Sequence, residues 1–154
     1  MKEVFAEAEE LRAKLTRAVD EDAASFEAIM SAFKLPKGTD EEKAARSQKI
    51  QEATLYASQV PLQTARDAVR VMELALQAAR MGNSNAITDA ASGAAMARAA
   101  LTSAGYNVRI NLSSLKDKAK ADALLADLTA LEARAAEIDT AVKEVLVERG
   151  GLSL

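Results

Sequence analysis

The chain has 154 residues, a formal net charge of −3 and no Cys or His, so it is the length of one domain and cannot form disulfides, thiolate nucleophiles or histidine metal sites. Its acidic balance excludes the basic surface of a nucleic-acid-binding protein, and we find no membrane span or signal peptide, so we expect a cytoplasmic protein without nucleic-acid or membrane partners. Small and aliphatic residues carry the hydrophobic fraction, and only 2 Pro and 6 Gly interrupt it, which predicts an all-α fold.

The first predicted helix runs from about Lys2 to Phe33 and ends before the turn residues Pro36 and Gly38. Helical periodicity places seven apolar residues on one stripe, which we expect to face the core: Ala8, Leu11, Leu15, Val19, Phe26, Ile29 and Phe33.

The second helix is predicted to begin at Thr39 or Asp40, because Glu42 completes a capping box with Thr39. It extends to a stop at Met81–Asn83. Pro61 lies inside it, so we expect a kink or a break just before that residue.

The third helix, about Asn85–Leu115, is rich in Ala and Gly. Small side chains on several faces permit close neighbours all round, so we expect this helix to be the central one. Gly105 lowers helix propensity before Tyr106–Leu112, where a helix is favoured over a short strand.

The fourth helix, about Lys116–Arg149, carries an apolar seam with steps of three and four residues. Such a seam indicates either packing inside an antiparallel bundle or a coiled-coil contact with another subunit. With short connections, the whole chain is expected to form one up-down bundle of four to five long helices over residues 1–154.

Asp22 is the first candidate site residue. It lies about 20° from Leu15 on the first helix, between Val19 and Phe26 on the apolar stripe. A carboxylate that points into an interior must be paired, hydrogen-bonded or protonated. Asp22 is therefore either a structural residue bonded to a neighbouring helix or a general acid/base.

Asn111 places an amide where an apolar residue is expected on the third helix, and Asn107 lies one turn earlier on the flank of the same face. They either satisfy neighbouring backbone groups or bind the polar edges of a ligand. Asp89 shares a helix face with Asn107, but 18 residues separate them by about 27 Å. One small ligand touches both only if the helix breaks near Gly105, the ligand is long, or a two-fold partner brings the ends together.

Two further segments offer polar side chains to an anionic ligand. Asn83 and Asn85, together with Asp89, follow a helix stop and form either helix caps or a binding loop. Lys37 follows Pro36 and is either an ordinary surface residue or a loop cation near an anion.

Together these residues resemble one enzyme family, the formiminotetrahydrofolate cyclodeaminases and methenyltetrahydrofolate cyclohydrolases. The resemblance covers nearly the whole chain and rests on five short motifs in order: Asp22-Ala23-X-X-Phe26 with Leu35-Pro36-Lys37, Val60-Pro61-Leu62, Gly82-Asn83-X-Asn85-X-X-X-Asp89, Asn107-Val108-X-Ile110-Asn111-Leu112, and Leu115-X-Asp117.

This resemblance implies a helical homodimer with a folate site near the subunit interface. The implied reaction is hydrolytic opening of 5,10-methenyltetrahydrofolate to 10-formyltetrahydrofolate, or cyclising deamination of 5-formiminotetrahydrofolate. Asp22 matches the catalytic aspartate of the family. The substrate-binding residues implied or suggested are Lys37, Asn83, Asn85, Asp89, Asn107 and Asn111, with no metal and no cofactor beyond the tetrahydrofolate substrate.

The sequence departs from the family at its N-terminus, where other members carry an additional Gly-rich segment ahead of the Asp22 helix. We therefore expect a cyclodeaminase-like domain that is N-terminally short. The alternative to an enzyme is a non-catalytic folate-binding or structural helical oligomer that lacks this segment.

Overall fold

The computed structural model describes residues 1–153, which form four long α-helices and no strand. The helices are α1 (Lys2–Phe33), α2 (Asp40–Met81), α3 (Ile87–Ser113) and α4 (Lys118–Glu148), and a single 3₁₀ turn, Ser84–Ala86, precedes α3. The all-α prediction is confirmed, and so is the helix across Tyr106–Leu112. No helix within residues 1–153 combines the length and hydrophobicity that a membrane crossing requires.

Consecutive helices run antiparallel, as their side-chain contacts show. Between α1 and α2, Glu7 pairs with Arg70 whereas Glu21 contacts Tyr56, so positions rise on one helix as they fall on the other. The connections between helices are short, which is the topology of an up-down bundle.

The second helix begins as predicted, with a complete capping box. The Glu42 backbone N–H donates to Thr39 Oγ1 at 3.2 Å, and the Thr39 N–H donates to Glu42 Oε2 at 3.2 Å. The helix then continues as one element through Pro61 to Met81. The alternative of a break before Pro61 is therefore wrong, and another side chain compensates for the proline, as described below.

The central helix is α2, which packs against α1, α3 and α4. The prediction that α3 is central is wrong. One side of α3 is buried, including Leu101 and Val108, but Ala95, Ala99 and Ala100 face outward. Alanine favours helix wherever it lies, so small residues permit close neighbours without requiring them.

The seam of α4 packs into the core of its own chain. Leu128 and Ala135 are fully buried, Ile138 is nearly so, and Leu124 and Leu131 pack against the same cluster. The seam therefore contributes to the bundle, and its interpretation as a contact with another subunit is wrong.

The apolar stripe of α1 largely faces outward, contrary to prediction. Val19 is 70% exposed and Phe26 is 62% exposed, whereas α1 packs on α2 through Leu11, Ser25 and Ala32. Leu11 belongs to the predicted stripe and is buried, but Ser25 and Ala32 lie beside the stripe, so the buried face is rotated away from Val19 and Phe26 towards small and polar residues that allow close approach to α2.

Candidate functional site

A groove of about 340 Å³ lies between α1 and α3, with α2 as its floor. Asp22 lines it from α1 and Asn107 from α3, so the structure brings two predicted site residues to one place. The rest of the lining is mostly apolar and small: Leu15, Ala18, Val19, Pro61, Thr64, Ala100, Ser103 and Ala104. The groove thus offers one carboxylate and one amide between apolar walls.

The Asp22 side chain is exposed in the chain, which corrects the expectation that it points into the interior. The correction follows from the outward orientation of the α1 stripe. Within residues 1–153, the Asp22 carboxylate accepts no hydrogen bond and forms no ion pair, whereas its backbone carbonyl accepts a hydrogen bond from Ser25 Oγ at 2.8 Å. Its carboxylate oxygens are therefore open to a ligand or to water.

Asn107 is exposed and faces the groove. Its Nδ2 donates to the Ser103 carbonyl of the same helix at 3.1 Å. Its Oδ1 accepts no hydrogen bond from residues 1–153, so it is available to a donor in the groove. Such a carbonyl oxygen suits an N–H group at the edge of a ring.

Asn111 lies one turn beyond Asn107 but serves the protein backbone. It is half-buried, and its Nδ2 donates to the Ala57 carbonyl of α2 at 2.7 Å. It is not among the residues that line the groove. Of the two alternatives for this amide, the structure shows the backbone contact.

Three more predicted site residues lie at a distance from the groove, two in the connection between α2 and α3 and one at the start of α3. Asn83 Oδ1 accepts the Asn85 N–H at 3.0 Å and caps the 3₁₀ turn, while Asp89 is exposed in the first turn of α3. Because α3 is unbroken through Gly105, Asp89 and Asn107 are about 27 Å apart. The alternative of a helix break near Gly105 is wrong.

Lys37 is exposed in the connection between α1 and α2 and is absent from the groove lining. It lies four residues after Phe33, where α1 ends, whereas Asp22 lies about three turns before Phe33. Within residues 1–153, no three carboxylates are close enough together to hold a metal ion.

Of the ten residues that line the groove, the sequence predicts only Asp22 and Asn107 as site residues, and those it misses include Pro61, Thr64 and Ser103. The sequence identifies Pro61 as an interruption of the helix and as part of a motif shared with the family, but not as a site residue. Thr64 and Ser103 are ordinary helix residues by sequence, and only the packing of three helices brings them together.

Ion pairs hold the helix that carries Asp22 against α2. Lys14 Nζ lies 2.7 Å from Asp67 Oδ1, and Arg70 Nη2 donates to Glu7 Oε2 at 2.7 Å. The hydrogen bonds from Arg70 lower the pKa of the Glu7 carboxyl below its ordinary value. Since α1 buries few apolar side chains, these pairs contribute to the position of one wall of the groove.

Comparison with known proteins decides the family. The profile of the formiminotransferase-cyclodeaminase family matches residues 1–130. The chain belongs to the formiminotransferase-cyclodeaminase family. The resemblance seen in the sequence motifs is thereby confirmed.

Individual members of the formiminotransferase-cyclodeaminase family match to different extents. A methenyltetrahydrofolate cyclohydrolase from Methylorubrum extorquens is 42% identical over 146 residues, which are 95% of this chain and 70% of that protein. The formimidoyltransferase-cyclodeaminase of Sus scrofa is 37% identical over 107 residues, 70% of this chain but only 20% of that much longer protein.

The fold is also that of a solved family member. The crystal structure of formiminotetrahydrofolate cyclodeaminase from Thermotoga maritima superposes with a TM-score of 0.78 at 28% identity. The match covers 90% of this chain and 65% of that one. This chain thus spans about two thirds of the length of that structure.

Proposed function

We propose that this chain is a folate one-carbon enzyme that opens 5,10-methenyltetrahydrofolate to 10-formyltetrahydrofolate or cyclises 5-formiminotetrahydrofolate with loss of ammonia. The names of its relatives support the substrate class. The observation that carries the proposal is the groove in which the unpaired Asp22 carboxylate and the Asn107 amide share apolar walls.

Both reactions require proton transfer to and from the substrate. In the hydrolysis, water adds to the methenyl carbon between two nitrogens and loses a proton, and one nitrogen must gain a proton as its bond to that carbon breaks. In the deamination, the second ring-closing nitrogen of the folate bonds to the formimino carbon and loses a proton, and the formimino nitrogen must gain a proton so that its bond to that carbon breaks and it leaves as ammonia. An open carboxylate such as Asp22 can accept and return that proton as a general base and acid.

Two kinds of groove residue recognise the folate ring, a polar amide and the apolar walls. Asn107 Oδ1 binds an N–H at the edge of the folate ring, and the apolar walls cover the faces of the ring. Lys37, Asn83, Asn85 and Asp89 lie outside the groove, so each takes part only through a long ligand or a groove of a second subunit. The Asn111 amide donates to the Ala57 carbonyl, so in this proposal it affects the substrate only through the position of α2.

We further propose that the protein is a homodimer joined next to the groove. Support comes from large apolar side chains that face outward on both walls, on α1 and α3: Val19, Phe26, Met30, Phe33, Met96, Tyr106 and Ile110. A single chain leaves this surface in water, and a two-fold contact would bury it.

The catalytic proposal is tested by the loss of the methenyl chromophore in a spectrophotometric assay. We expect Asp22→Asn to lower kcat by about 10²-fold or more, the usual contribution of a general acid/base. Asp20→Asn is the matched control, because Asp20 is an exposed carboxylate of the same helix outside the groove, and it should retain full activity. Equal rates for wild type and Asp22→Asn would contradict the assignment. Calorimetric folate binding without turnover by the wild type would instead support the non-catalytic alternative.

The dimer is tested by sedimentation velocity over a range of protein concentrations. We expect Ile110→Glu to shift the protein towards the monomer, because it places a charge in the proposed contact. Val147→Glu is the control, since Val147 is exposed on α4, away from the groove. A wild type that remains monomeric at all concentrations would refute the dimer.

A further inference from the structure

Pro61 deletes one hydrogen bond of α2, and Asn111 of α3 replaces it. In an α-helix the N–H of residue 61 would donate to the carbonyl of residue 57, but proline has no N–H. Asn111 Nδ2 donates to this same Ala57 carbonyl at 2.7 Å. Ala57 and Pro61 are both buried, so without Asn111 the carbonyl would lose its partner in a place that water does not readily reach.

The replaced hydrogen bond lies directly behind the groove. Pro61 forms part of the groove floor, and Asn107, one turn before Asn111 on α3, lines the wall. Helix α3 therefore presents one amide to the groove and another to the backbone that supports the floor. The two amides are held in a fixed relation because α3 is continuous between them.

We propose that Asn111 is a positioning residue: by donating to the Ala57 carbonyl, it fixes the prolyl floor of the groove relative to the Asn107 wall. This inference rests on the proposed function for its catalytic consequence. Asn111 acts through α2 and does not touch the substrate. Its importance should therefore depend on the proline, since any other residue at position 61 brings its own N–H for Ala57.

This dependence can be tested with a double-mutant cycle. Asn111→Leu removes the donor at nearly unchanged size, and Pro61→Ala restores a backbone N–H to α2. The four proteins are wild type, the two single variants and the double variant. Each is assayed for loss of the methenyl chromophore at a temperature where circular dichroism shows that it is folded. The melting temperature of each is also measured by circular dichroism.

We expect Asn111→Leu to lower kcat/KM and the melting temperature by more in the wild-type protein than in the Pro61→Ala protein. In the wild-type background, Asn111→Leu should lower kcat/KM by about tenfold, since small displacements of a binding wall have large kinetic effects. In the Pro61→Ala background the same change should cost less than about twofold. The melting temperature should follow the same pattern, with a drop of about 3–8 °C only where the proline is present.

Three outcomes would overturn the inference. Equal melting losses in both backgrounds would mean that Asn111 does not replace the missing donor. Equal losses of kcat/KM in both backgrounds would mean that Asn111 acts on the substrate directly. Unchanged kcat/KM in folded Asn111→Leu would leave it a structural role alone. If the wild type has no turnover, the proposed function fails, while the melting cycle still tests the hydrogen bond.

Discussion

The ion pair between Lys14 and Asp67 offers a quantitative test of how α1 is held to the bundle. The Asp67 side chain is only 9% exposed and accepts hydrogen bonds from Lys14 Nζ at 2.7 Å and from Gln63 Nε2 at 3.0 Å. Lys14→Met keeps the aliphatic stem but removes the ammonium group. The carboxylate then remains in a largely buried place with a single neutral donor.

The free energy of unfolding that is lost in Lys14→Met should lie between the values for breaking a buried ion pair and an exposed one. Breaking a fully buried pair costs about 3–5 kcal/mol, because one charge is left without compensation. Here Lys14 is 46% exposed, so water can replace part of its interaction, and Gln63 keeps its own hydrogen bond. We therefore expect Lys14→Met to lower the free energy of unfolding by about 1–2 kcal/mol.

The measurement is urea unfolding followed by circular dichroism, with Asp67→Asn as the second arm of a double-mutant cycle. Once the carboxylate is neutral, removing the Lys14 ammonium should cost less than about 0.5 kcal/mol, so the coupling energy should be about 1 kcal/mol. If the costs of the two single changes simply add, the pair contributes nothing to the attachment of α1. The reasoning from burial would then be refuted.

Two other predictions concern stability. Apart from the adjacent residues and the nearby backbone of α3 itself, no atom of residues 1–153 lies within 4 Å of a Cβ added at Gly93, so Gly93→Ala should gain about 1 kcal/mol and raise the melting temperature by about 2–4 °C. Gly105→Ala should gain less, because a guanidinium nitrogen of Arg109 lies 3.0 Å from the Cβ that would be added there. A melt that shows no gain at Gly93 would contradict the first of these. Burial raises the pKa of Glu73, but hydrogen bonds from Arg70 and Arg134 outweigh it and lower the pKa below its ordinary 4.5. The stabilisation is therefore complete above pH 4.5 and is lost as the pH falls through the lowered folded value, so the urea midpoint should decline less steeply between about pH 5 and pH 3 in Glu73→Gln than in wild type.

Capping patterns and hydrophobic periodicity predict the helices of this fold well, because both depend only on residues that are close together in the sequence. The capping box at Thr39 and Glu42 needs only three-residue spacing, and it is present. The α4 seam also faces the core as its periodicity indicates. Which helix is central is a different kind of question, since Ala-rich faces such as that of α3 suit both close packing and exposure to water.

The site was predictable in its residue types but not in its geometry. The sequence predicts Asp22 and Asn107 as site residues, because each is a polar residue within or beside an apolar stripe, and both line the groove. Their neighbours Pro61, Thr64 and Ser103 could not be chosen, because their shared position arises only when three helices pack. Asn111 shows the limit most clearly: its helical position matches that of Asn107, but its partner is a carbonyl 54 residues earlier in the chain.

Because α1 turns its apolar stripe outward, Asp22 supports a functional role more strongly than a buried carboxylate would. A carboxylate buried within the chain would need a partner, and its presence could be explained by structure alone. Asp22 instead lies on an exposed apolar stripe beside Val19 and Phe26, and its carboxylate has no partner among residues 1–153. The apolar residues around it contribute little to the packing of the single chain, so the stripe is better explained by something that covers it. We propose a folate ring in the groove and a second subunit on its rim as the two parts of that explanation, and the Asp22→Asn and Ile110→Glu substitutions test them separately.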